Sequence, residues 1–93
     1  MNKKELFSQI LRLTADITGV SVDRITGNAR DVESTDARYI VATLLHERGF
    51  YPSQIAECLH RQPRGIRWLL ARQATAMLRI TLGNARTVAA AFT

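Results

Sequence analysis

After Glu57 the sequence has no acidic residue. Up to that point it holds seven basic and eight acidic side chains; beyond it come six arginines and no lysine. A cationic surface confined to one part of a chain fits a polyanionic partner, nucleic acid or an anionic membrane face, because opposite charge steers encounter and binding releases counterions. The use of arginine throughout leans toward nucleic acid, since its planar fork engages phosphate or guanine edges bidentately while lysine is a mobile point charge.

Other scarcities exclude function classes. The single cysteine, Cys58, sits in an apolar pattern and offers neither a disulfide framework nor a metal-ligand spacing, so an intracellular, cytoplasmic setting without a metal is expected. No apolar run approaches the ~20 residues of a membrane span, and "MNKKELFSQILRL" is interrupted by Ser8, Gln9 and Arg12, unlike a signal peptide. A soluble protein follows as the expectation. "TGNAR" lacks the preceding strand and the Gly-Lys-Ser/Thr ending of a phosphate loop. His46 and His60 have no sequence feature linking them, and Cys58 reads as a small buried hydrophobe. Neither an enzyme nor a cofactor is expected.

What is present reads as one all-α domain. The 93 residues are 46% hydrophobic and 23% charged, ordinary globular usage and enough for a modest core. Leu6, Phe7, Ile10, Leu13 and Ile17 recur at spacings of three and four, predicting an amphipathic helix from Lys3 to about Thr18 that stops at Gly19. Ser21 caps a short helix with Val22 and Ile25 on one face. "ARDVES" reads as a polar loop, after which Ser34 or Thr35 caps a third helix burying Ala37, Ile40, Val41, Leu44 and Leu45 and ending at Gly49.

A short helix, "PSQIAECL", opens on Pro52 and turns Ile55, Ala56 and Leu59 inward. "HRQP" breaks it. A long helix then begins near Arg64 and runs to about residue 79, with Ile66, Leu69, Leu70, Met77 and Ile80 as its apolar stripe; residues 84–93 form a weakly helical tail. Short helix, tight break and long helix is helix-turn-helix order.

The stretch "HRQPRGIRWLLARQ" crowds four arginines around the start of that second helix. Cations at a helix N-terminus are mildly unfavourable, by roughly 0.3 to 1 kcal/mol, unless phosphate oxygens are there to share the free N–H groups. Gly65 and Ala71 are small enough to let the backbone approach DNA. The proposed contacts are Arg64 and Gln62 to base edges and Arg61, Arg67 and Arg72 to phosphates, with Trp68 either packed under the first helix or the tail, or touching the ligand.

From about Leu6 to Leu82 the chain resembles the C-terminal DNA-binding domain of the bacterial replication initiator DnaA. The likeness rests on "ITGVSVDRITGNARD", on the alanine-bearing "ARYIVATLLHERG" and on "YPSQIAECLHR". It implies a Trp repressor-like helical fold that binds duplex DNA with a helix-turn-helix in the major groove and an arginine of a basic loop in the minor groove. Arg30 stands where that loop arginine stands, and Arg61 where the family's Arg-Asp-His-Ser/Thr-Thr signature opens. The rest of the signature is replaced by Gln62, Pro63, Arg64 and Gly65, so the resemblance implies the fold but a different target sequence. A free-standing DNA-binding domain of regulatory or accessory role, monomeric or as a homodimer, is the expectation. Its rivals are a protein-interaction module on the same scaffold, which would use Trp68 and the tail, and RNA binding, for which aromatic stacking ladders are lacking.

Overall fold

The computed structural model describes residues 2–92, and no strand occurs among them. Helices α1 (Lys3–Thr18), α2 (Val22–Thr26), α3 (Val32–Glu47), α4 (Pro52–Leu59), α5 (Pro63–Ala71) and α6 (Ala76–Ala89) follow one another, with a 3-10 turn at Ala90–Phe92.

Local chemistry sets most of the boundaries. The Asn2 side chain accepts the Glu5 amide at 2.8 Å to start α1, and Gly19 ends it in the left-handed conformation with φ 75°. The Ser21 hydroxyl accepts the Arg24 amide at 3.2 Å, and Pro52 occupies the first turn of α4. Helix α3 starts earlier than the sequence pattern predicts. Neither Ser34 nor Thr35 caps it: the Asp31 carboxylate accepts both the amide and the hydroxyl of Ser34, at 3.1 and 2.9 Å, so residues 32–34 of the expected loop are helical. A carboxylate satisfies these donors and also meets the positive end of the helix dipole.

Those Ser34 bonds, the hydroxyl's first, hold the Asp31 carboxyl below its ordinary value of 3.8. A lowered folded-state pKa stabilises the native chain above 3.8 and loses that contribution as pH falls through the folded value. Asp31→Asn keeps a capping oxygen but removes the titration, so the acid limb of a pH–stability curve should flatten in this variant.

Helix α3 is the hub. It packs on each of the other five α-helices, and Ala37, Ile40, Val41, Ala42, Leu44 and Leu45 are fully buried. Ile10 and Leu13 of α1, Ile25 of α2, Ile55 and Leu59 of α4 and Ile66 and Leu69 of α5 complete the same core.

The second half of the chain departs most from expectation. The long helix is two: α5 stops at Ala71, residues 72–75 are irregular, and Thr75 caps α6 by accepting the Leu78 amide at 3.1 Å. The break re-aims the chain. Leu78, Leu82, Ala85 and Ala89 turn onto the core, whereas Met77 and Ile80, expected to be buried, are 70% and 60% exposed. What reads as a weak tail is mostly helix, secured where Arg86 grips Glu47 at 2.6 Å and Arg48 donates to the Ala89 carbonyl at 2.7 Å.

Gly83 lies inside α6, and a Cβ built there meets nothing within 4 Å. Gly83→Ala should therefore stabilise by about 0.5 to 1 kcal/mol, raising the unfolding temperature several degrees. A thermal melt followed by circular dichroism checks it; a chain that ended its helix at Gly83 would show no gain.

Candidate nucleic-acid interface

Two elements meet at one cationic surface, the connection of residues 27–31 between α2 and α3 and the start of α5. The turn of residues 60–62 brings the second into place. His60 takes the left-handed conformation at φ 55°, and the Arg61 amide closes back on the Ala56 carbonyl at 2.8 Å, so Pro63 can open a new helix at once. On α5, Ile66 and Leu69 face the core, which leaves Arg64, Arg67 and Trp68 on the outer side.

The seven sequence-predicted residues divide by what holds them. Arg64 and Arg67 are exposed and form no ion pair among the described residues, as does Arg30 in the 27–31 connection. Gln62 is exposed at the N-cap of α5, and its side chain makes no capping bond. Arg61 is half-buried and donates to the Gly27 carbonyl at 2.6 Å, which ties the α4–α5 turn to the other connection. Trp68 is 62% exposed, covered by neither α1 nor the C-terminal segment.

Arg72 is placed differently. It lies beyond the end of α5, where its guanidinium reaches the buried Oδ1 of Asp36 at 3.2 Å, an ion pair without aligned hydrogen-bond geometry. It also stands over the rings of Tyr39 and Trp68, 5.8 Å from each centroid. The assumption that α5 continues past residue 72 put this arginine among the phosphate contacts; with the helix ended, a first-half carboxylate takes its charge and its cation–π contacts hold the indole. Arg72→Ala should leave the salt dependence of any DNA binding unchanged and move the Trp68 emission to longer wavelength. An emission spectrum beside a salt-series gel shift separates the two effects.

Sequence reasoning missed Arg38. It is 4% exposed on the α3 face that meets the 27–31 connection. Nε donates to the Ile25 carbonyl at 2.7 Å, and Nη2 reaches the carbonyls of Arg24, Gly27 and Ala29 at 2.8, 3.2 and 2.5 Å. Burial, then the Arg61 charge beside it, lowers its pKa from the ordinary arginine value. A sequence signal existed: Ser34, Arg38, Val41 and Leu45 recur at helical spacing, which strings an arginine along an apolar stripe.

Between the two elements lies a groove of about 400 Å³ lined by Asn28, Arg30, Arg38, Arg61, Gly65 and Trp68 among others, none of them acidic. Elsewhere, burial and then Glu57 push the Cys58 thiol up, the reverse of an activated nucleophile. No group of three potential metal ligands occurs among the described residues, and no helix there is long and apolar enough to cross a membrane. In comparisons with known proteins, no family model, curated protein or solved structure matches this chain.

Proposed function

We propose that the protein binds double-stranded DNA, with α4, the 60–62 turn and α5 acting as a helix-turn-helix and the 27–31 connection flanking it. One observation carries the reading. Of the second half's six arginines, Arg72 and Arg86 are matched to carboxylates, Asp36 and Glu47; Arg61, Arg64, Arg67 and Arg79 have none among the described residues, and Arg64 and Arg67 stand together on the outer side of α5. An unpaired pair of guanidiniums one helical turn apart, next to a groove lined without acid, is an electrostatic footprint for a phosphate backbone.

In this reading Arg64 and Gln62, in the first turn and cap of α5, contact base edges. Arg67 and Arg61 serve phosphates, and Arg30 serves the adjacent groove or backbone. This order of elements also supports the resemblance to the DNA-binding domain of DnaA and a Trp repressor-like arrangement, with base reading shifted to Gln62 and Arg64. Selection of bound sequences from a random duplex pool tests the proposal. Enrichment of a common site is the expected result, whereas duplex affinity that vanishes at physiological salt would remove it in favour of a protein-interaction role.

A further inference from the structure

Beyond the Arg30 and Arg61 cations that duplex contact would share, the groove beside α5 offers Arg38 and the indole face of Trp68, which a regular duplex does not use. Three guanidiniums, those of Arg30, Arg38 and Arg61, line it together with the indole of Trp68, and no carboxylate does. Asp31, next in the chain, is engaged by Ser34 and by Arg24 at 2.5 Å and does not line the groove, so its charge offsets that of Arg38 only in part. Arg38 and Arg61 spend their hydrogen bonds on backbone carbonyls, which satisfy donors without cancelling charge. Burial first, then repulsion from Arg61 that Asp31 opposes, holds the Arg38 pKa below the ordinary arginine value. A dianionic or monoanionic phosphate relieves that repulsion.

Beside the charge stands a flat apolar surface. Trp68 is 62% exposed, and Arg72, anchored on Asp36, stands over its ring and fixes the indole at the groove's edge. A planar ring next to an anion site fits a nucleotide. In a paired duplex the base faces are already stacked and only edges are offered, so the base that meets an indole must be unpaired.

We propose that this groove holds one nucleotide unit with an unpaired base, its phosphate among Arg30, Arg38 and Arg61 and its base against Trp68. It rests on the nucleic-acid reading for its source, an unpaired end or flap of a DNA strand; a free nucleotide shares the same chemistry.

Trp68 is the chain's single tryptophan, so its emission reports the groove directly. The intact chain is titrated with inorganic phosphate, thymidine, thymidine 5′-monophosphate, a blunt 20-base-pair duplex, and the same duplex carrying a short 5′-phosphorylated overhang. The expected result is saturable quenching by the monophosphate and, at least tenfold tighter, by the overhang duplex. Phosphate should compete without quenching, and thymidine should quench only at far higher concentration. Arg30→Ala, a change at an exposed connection residue, should weaken the overhang's binding about tenfold with an unchanged thermal melt. Trp68→Ala, followed by anisotropy of a labelled overhang duplex, should cost about the same factor.

Quenching by the blunt duplex as strong as by the overhang, or by thymidine as strong as by its monophosphate, overturns the proposal, as does an Arg30→Ala variant that binds like the parent. A monophosphate that binds as tightly as the overhang overturns the strand as source. Gel shifts separate the failures: a blunt duplex that is retarded while nothing quenches removes the groove's role and leaves duplex binding, and nucleotide quenching without any duplex shift supports the groove and removes duplex binding.

Discussion

Reversing the charge at Arg64 and Arg67 together is expected to weaken duplex binding on the order of 100-fold at moderate salt without loss of fold. Both side chains project from the exposed side of α5 and neither pairs with a carboxylate among the described residues, so substitution breaks no internal contact. Arg64 occupies the first turn after Pro63. A glutamate there meets the positive end of the helix dipole, so Arg64→Glu should raise stability by roughly 0.3 to 1 kcal/mol even as binding falls. That opposition is diagnostic, because a variant that bound poorly through partial unfolding would melt earlier, not later.

Salt sharpens the expectation. Each phosphate contact contributes about 0.9 to the slope of log affinity against log salt, so loss of two contacts should flatten the slope by roughly 2. Gel-shift titrations across a salt series, run beside thermal melts, measure both quantities. A double variant with the parent's slope would show that these arginines are merely solvated and would remove α5 from the interface.

How far the sequence disclosed all this depends on the range of each interaction. Caps at Ser21 and Gly19 and the proline start of α4 are decided within four residues, and so is the inward face of α3; local pattern suffices for these. The Asp31 cap is equally local but was masked, because "ARDVES" offers several capping side chains in a row and only the packing of a buried Ser34 selects among them. The division of α5 from α6 has no glycine or proline to announce it. Around residue 77 two apolar stripes compete, Met77 with Ile80 and Leu78 with Leu82, and only the surfaces of α1 and α3 decide which is buried.

At the candidate interface, the excess of arginine was legible and its distribution was not. Arg86 meets Glu47 across 39 residues of chain, and Arg72 meets Asp36 from another helix. Such pairings depend on where the helices cross, so counting charges along the sequence cannot say which guanidiniums are left for a partner. Around the groove the structure leaves Arg30, Arg64 and Arg67 exposed, with Arg61 bridging to the neighbouring connection; Arg79 on α6 and Arg12 on α1 are also exposed and without an ion pair among the described residues.

Arg38 is where the set around the groove meets the fold's stability. Arg38→Met keeps most of the side chain's bulk but removes a guanidinium whose bonds run to four backbone carbonyls, those of Arg24, Ile25, Gly27 and Ala29. The Gly27 carbonyl keeps its Arg61 donor, but the other three lose theirs; acceptors left without donors each cost about 1 to 3 kcal/mol where water cannot replace the bond, and part of this connection is open enough to rehydrate. A net loss of about 3 kcal/mol is therefore expected, a fall in unfolding temperature of roughly 12 to 24 °C for a domain of this size. Arg38→Lys should recover only part of it, since one ammonium on a flexible stem cannot span carbonyls that a planar fork reaches from two nitrogens. The same loss should reach binding: Arg30 sits in the connection that Arg38 shapes, so Arg38→Lys, studied below its melting point, should weaken nucleic-acid affinity although the net charge is unchanged. Melts of both variants and a gel shift of the lysine variant measure the two consequences. If Arg38→Met melts with the parent, water alone serves those carbonyls, and the guanidinium does not set the shape of the groove.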